Sequence, residues 1–136
     1  FLAHPGRMGL APEKIPLLAG FAKQAYHSVE VARDAGVKLA SGSDVVGPWQ
    51  GRRGEEMVYK ARVLGAHEAI ISATRINAEL FMLEDEIGTV EGGKRADLVL
   101  VNGQPLDDIT LMAEPDNVVV VLQDGTLVKD SEGRVE

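Results

Sequence analysis

The stretch Val37-Lys38-Leu39-Ala40-Ser41-Gly42-Ser43-Asp44 decides how the rest of the chain is read. Val37, Leu39 and Ala40 favour burial, and the run predicts a short buried strand. Gly42 lets the backbone turn sharply, which leaves Asp44 at the strand's C-terminal edge. Parallel α/β proteins keep their chemistry at that edge. A carboxylate there needs a cation, a hydrogen-bond network or solvent, because an unpaired charge is too costly in an apolar core. Asp44 is therefore the candidate functional residue. The competing reading is an Asp that only caps the loop or helix that follows.

Upstream, residues 1–11 are punctuated by Pro5-Gly6 and read as loop, with His4 a solvated loop histidine. Over residues 13–35, Leu18, Ala22, Ala25, Val29 and Ala32 recur at steps of four and three and form one helical stripe, that of a helix laid against a sheet. Pro16 belongs in the first turn, and Gly36 supplies the stop. His27 falls off the stripe and faces solvent.

Downstream of Asp44, residues 45–54 carry Gly47, Pro48, Gly51 and Gly54 and read as a loop that cannot sustain a helix. The loop also holds Trp49, Arg52 and Arg53, so it can shape a substrate pocket beside Asp44. Alternatively, Trp49 packs as an ordinary hydrophobe and the arginines are solvated. Glu55 and Glu56 open the next helix, Met57, Val58, Ala61 and Leu64 form its buried face, and Gly65 ends it. Residues 67–81 predict one further helix, with Ile70, Ala73, Asn77 and Leu80 on its stripe. Asn77 needs a partner for its amide there, and backbone groups of the preceding loop can supply one. His67, near the start, reads as a surface residue.

Beyond Glu84 the pattern turns to strands. Residues 88–90, 97–101, 118–123 and 126–129 read as strands, with turns at Asn102-Gly103 and Asp124-Gly125. The apolar run 118–122 calls for cover on both faces. Residues 105–109 predict a loop with a short helical turn, and residues 131–136 a frayed end.

With 136 residues the chain has enough length to bury a core. Its net charge of −7 argues against nucleic acid, which wants clustered Lys and Arg. No apolar run approaches the roughly 18 residues of a membrane span. The absence of cysteine rules out a disulfide framework and fits a cytoplasmic enzyme without excluding secretion.

Residues 35–44, Ala-Gly-Val-Lys-Leu-Ala-Ser-Gly-Ser-Asp, resemble the last barrel strand of the metal-dependent amidohydrolase superfamily, which carries an Asp after an A-G-V-x-[IL]-[AL]-x-G-[ST]-D run. Arg53-Gly54-Glu55 precedes a helix, as in that family. Ser72-Ala73-Thr74-Arg75-Ile76-Asn77-Ala78-Glu79-Leu80 is similar to its A-T-x-N-x-A-x-x-L helix. Residues 87–99 resemble its G-x-[IV]-x-x-G-[KA]-x-A-D-L-V entry into a C-terminal sandwich, and residues 105–109 its P-L-x-D-I connection. The match covers about residues 33–130. The G-S-D-x-x-G opening and Arg62-Val63-Leu64-Gly65 look most like the imidazolonepropionase-related branch that includes Xaa-Pro and Xaa-Arg dipeptidases. Many relatives have His-Gly-Glu-Asn where Arg53-Gly54-Glu55-Glu56 stands.

The resemblance implies an α/β chain: a C-terminal fragment of a (β/α)8 TIM barrel over residues 1–83, then part of a composite β-sandwich over residues 84–136. A whole barrel needs about 250 residues. It implies hydrolysis of a carbon–nitrogen bond by metal-activated water, with Zn2+, one or two ions, in the complete parent and none on this piece. Asp44 matches the family's catalytic base and metal ligand; Trp49 and Arg53 are the substrate-loop candidates. The other ligand motifs have no counterpart, and a catalytic zinc ordinarily has about three protein ligands, so the piece alone is expected to be inactive. The expected substrate is a dipeptide or other small molecule, with no nucleic-acid or membrane partner and room for a homo-oligomeric parent. The alternative from another class is a non-catalytic interaction domain. A further one is self-association through exposed sheet edges.

Overall fold

A computed structural model describes residues 15–45 and 47–133. The chain divides after Val37 into two compact units. In the first, helix α1 spans Ile15–Asp34 with Pro16 in its first turn, where a missing N–H costs nothing. It ends as its sequence predicts. Gly36 takes φ 71°, its amide donates to Arg33 O at 2.9 Å and that of Val37 to Ala32 O at 3.0 Å, the paired bonds of a Schellman stop. Of the expected stripe, Val29 and Ala32 are half-buried and Ala25 is exposed, while the side chains of Leu18 and Ala22 lie outside the described ones.

The second unit holds three helices, α2 (Glu55–Leu64), α3 (Ala66–Ala73) and α4 (Arg75–Leu80), and a small sheet, so the chain is α/β in content. α2 has the expected bounds, closed at Gly65 by a bond from its amide to Ala61 O at 2.9 Å. Its apolar face, however, is only half-buried. Gly54 starts the helix close against the 3-10 segment Ile109–Ala113: a Cβ on Gly54 would lie 1.7 Å from the Met112 carbonyl oxygen. The loop after Asp44 is not structureless; Gly47–Arg52 winds into a 3-10 helix, whose tighter turns suit short pieces.

The single helix expected over 67–81 is two. Thr74 breaks it, at φ −118° and ψ −91°. Its hydroxyl donates to Ile70 O at 2.9 Å, a back-bond that bends helices. Gly88, at φ 93°, fits against the break, where a Cβ would come within 2.5 Å of Ala78 Cβ. That left-handed glycine also explains why residues 88–90 form no strand. The helical core is Ala69, Ser72 and Ala78, with the Ser72 hydroxyl satisfied by Ala69 O at 2.7 Å. Leu80, placed on the buried stripe by its spacing, is 63 % exposed because α4 ends there.

Strands β1 (Leu98–Val101), β2 (Val118–Gln123) and β3 (Thr126–Asp130) form one antiparallel sheet in the order β1-β2-β3. Leu98 faces Leu122, and Leu122 faces Leu127. Val119 and Val120 point to opposite faces and both are buried, so the middle of β2 is covered on both sides; each contributes about 1.5–3 kcal/mol. The ends of the run are only half-buried. Asp124 at φ 49° and Gly125 at φ 75° make the expected hairpin turn. Asp97 fixes that turn by accepting the Asp124 amide at 2.6 Å.

The strand expected at residues 37–44 does not form. Residues 37–45 pair in no ladder, Val37 is 55 % exposed, and Leu39 and Ala40 are half-buried. The reason is physical: a parallel strand needs neighbours at its edges, and no described strand lies beside this one. Among the described residues no helix is long and apolar enough to cross a membrane.

Candidate functional site

Side chains take the place of neighbour strands along residues 38–42. The Asn77 amide on α4 grips Ser41 twice: Oδ1 accepts from Ser41 N at 2.8 Å, and Nδ2 donates to Ser41 O at 3.0 Å. This is the backbone partner that Asn77 was expected to need, but it comes from a segment 36 positions away. From α2, Glu56 Oε1 accepts the Gly42 amide at 3.0 Å, and Lys60 Nζ donates to Ala40 O. Glu56 and Lys60 also pair with each other at 3.1 Å. Lys38 reaches Glu79 on α4 at 2.5 Å, and the ammonium beside it holds the Glu79 carboxyl below the usual carboxylate range.

The partners alternate in a telling way. In an extended backbone the polar groups of successive residues face opposite edges. Here Ala40 and Gly42 are held from α2 and Ser41 from α4. Each of the two Asn77 bonds is worth about 0.5–1.5 kcal/mol net.

Asp44 follows this pinned run with φ 49°. A left-handed conformation costs a residue with a side chain ~1 kcal/mol, and Asp bears it better than most. The side chain is exposed. It makes no hydrogen bond or ion pair among the described residues, and it lies well before α2, whose N-cap is Gly54. Such an outlier, fixed by its surroundings, is where a functional residue is expected.

Of the other candidates, Arg53 makes no ion pair with Asp44 among the described residues. Arg53 is exposed at the foot of α2, where its carbonyl accepts the Glu56 amide at 3.3 Å. Trp49 sits in the 3-10 segment, and its side chain and all of His4 lie outside the described residues. Arg52 is engaged with Glu55. His27 and His67 are exposed, as read from their spacing, and face Glu30 at 3.5 Å and Glu68 at 3.1 Å. Among the described residues no three His, Cys, Asp or Glu side chains converge on one point. Asp44 is thus a lone carboxylate there, one donor where a catalytic zinc ordinarily has about three protein ligands. A groove of about 240 Å³ runs along the pinned segment, lined by Lys38, Ala40, Ile76, Glu79 and Leu80, and does not include Asp44.

Sequence reasoning missed Glu56 and Lys60 as holders of this segment. The signal was available: Lys60 follows Met57 by three and precedes Leu64 by four, which puts a cation on the apolar stripe of α2.

The chain is similar to several known proteins over part of their length. A prolidase crystallised with N-methylphosphonate-L-proline is 37 % identical, with a TM-score of 0.81 over 95 % of this chain and 32 % of its own. A Xaa-Pro dipeptidase with methionine bound in its active site is 38 % identical, with a TM-score of 0.74 over 87 % of this chain and 29 % of its own. A 5-methylthioadenosine/S-adenosylhomocysteine deaminase from Symbiobacterium thermophilum is 32 % identical over 54 % of this chain and 19 % of its own length. The chain thus spans about a third, or less, of the proteins it matches. The model of the amidohydrolase family matches residues 21–128, most of the chain, and on that match the protein belongs to the amidohydrolase family.

Proposed function

We propose that this chain provides the Asp44 end of an amidohydrolase site that hydrolyses a carbon–nitrogen bond, with Asp44 as general base. The observation that carries it is Asp44 itself: an exposed carboxylate in a left-handed conformation, directly after a segment gripped by two helices. A base so placed takes a proton from attacking water and returns it to the leaving amine, work ordinarily worth 10²–10⁴-fold in rate. Residues 1–83 belong in this reading to the end of a (β/α)8 barrel and residues 84–136 to part of a β-sandwich, which the three-stranded sheet begins. The metal of such a reaction, zinc or a similar ion, is one that Asp44 would contact as a single oxygen donor. About three protein ligands are needed for a catalytic zinc. The remainder are not met among the described residues.

The substrate class favoured is a dipeptide. The support is the prolidase and the Xaa-Pro dipeptidase, matched at 37–38 % identity across most of this chain, against a deaminase match over about half of it. The test is Asp44→Asn in the intact protein, assayed on alanyl-proline with S-adenosylhomocysteine deamination alongside. Asn also tolerates the left-handed region, so the fold is retained. Turnover is expected to fall at least 100-fold. A variant that keeps most of its turnover overturns the role of Asp44. Deamination without dipeptide cleavage in the wild type overturns the substrate class.

A second reading, a non-catalytic docking module, is favoured by one feature. Leu80, Phe81 and Met82 at the end of α4 are 63 %, 65 % and 85 % exposed, an apolar run that binding surfaces often show. Wild-type hydrolysis lost in Asp44→Asn decides against it.

A further inference from the structure

We propose that Asn77, seconded by Glu56 and Lys60, is a positioning residue for Asp44: the three set the path of residues 40–42, so that the chain arrives at Asp44 in its left-handed turn. The inference rests on the reading of Asp44 as the base.

Several observations point the same way. Asn77 lies inside a helix, where its type is mildly unfavourable, and devotes both ends of its amide to a single residue 36 positions away. Glu56 and Lys60 keep only 21 % and 13 % of their side chains exposed. Charges this covered are costly unless compensated, and theirs are compensated by each other and by Gly42 N and Ala40 O. Neither helix needs these contacts for its own hydrogen bonds. Their common effect is on three consecutive residues, from two helices, shortly before the left-handed Asp44. A displacement of about 1 Å at a catalytic group can cost about 100-fold in rate, so a rigid approach has value that a merely stable one lacks.

The experiment compares wild type, Asn77→Ala and Lys60→Met by NMR, reading amide exchange at Ser41 and Gly42 and the backbone chemical shifts of Asp44. Asn77→Ala is expected to speed exchange at Ser41 at least tenfold and to move the Asp44 shifts away from left-handed values, while the amides of β1, β2 and β3 keep their protection. Faster exchange at Ser41 with unmoved Asp44 shifts would mean a structural contact only, and would overturn the proposal. Should Asn77→Ala lose protection throughout, Lys60→Met decides: it keeps the aliphatic stem and drops the bond to Ala40 O. Unmoved Asp44 shifts there also overturn the proposal. In the intact protein, Asn77→Ala is expected to lower kcat on alanyl-proline 10- to 100-fold with KM changed less than threefold; an unchanged kcat counts against positioning. Asp44→Asn, run in parallel, separates the two claims, since turnover that survives it removes the base assignment and leaves the Asp44 shifts to judge the grip.

Discussion

Replacing Gly54 by alanine tests the seat of α2, and with it the platform on which residues 40–42 are held. Gly54 has φ −63° and ψ −21°, values any residue adopts, so no backbone strain enters. In open space the change would stabilise by about 0.4–1 kcal/mol through the unfolded state. Space is what is missing: the added Cβ would lie 1.7 Å from Met112 O, 2.7 Å from Met112 C and 3.3 Å from Ala113 Cα. A carbon and a carbonyl oxygen settle at about 3.3–3.6 Å, so the two must part by roughly 1.6 Å. All three obstacles are main chain and cannot rotate aside. Overpacking of this kind costs about 1–3 kcal/mol, and rigid obstacles put it at the upper end. A net loss of about 2 kcal/mol lowers Tm by roughly 8 °C at this chain length. Thermal unfolding followed by circular dichroism measures it. Gly92→Ala is the control, since a Cβ there meets nothing within 4 Å, and its stability should stay within about 0.5 kcal/mol of wild type. A Tm for Gly54→Ala equal to or above that of wild type would refute the packing of α2 on residues 109–113.

Gly88→Ala should destabilise by about 2–4 kcal/mol, read from the urea midpoint, because it combines a positive φ of 93° with a Cβ 2.5 Å from Ala78 Cβ. Acid should weaken the fold through two carboxylates. The hydroxyl and then the amide of Thr110 hold the Asp108 carboxyl below its ordinary range, as Lys38 does for Glu79. With folded values below unfolded ones, their contribution is full above the ordinary carboxylate range and is lost as pH falls through the folded values; Asp108→Asn and Glu79→Gln should each flatten stability against pH below about pH 4. Asp44→Asn, alongside its loss of turnover, should leave Tm within about 2 °C of wild type, as surface changes do.

What could be read from the residues alone was local. The Schellman stop at Gly36, the bounds of α2, the hairpin at Asp124-Gly125 and the central strand β2 follow from periodicity and turn chemistry, which act within a few positions. Three features were not legible because they depend on distant contacts. Thr74 divides a continuous apolar stripe, which only its back-bond and the approach of Gly88 reveal. The apolar run at residues 37–40 has strand composition but no strand beside it, so composition alone misassigned it. Asn77 was understood to need a partner, yet nothing in the sequence named Ser41. Asp44 stands out by type and place; its left-handed backbone depends on how the chain is held around it and could not be read from the residues.

The grip on residues 40–42 also limits what can zip onto this part of the chain. With the Ala40 carbonyl, the Gly42 amide and both Ser41 groups already bonded to side chains, an incoming peptide would have to displace those partners to pair at these positions. Edge-to-edge association through this stretch is therefore discouraged, since each such pairing gives up a bond to Asn77, Glu56 or Lys60.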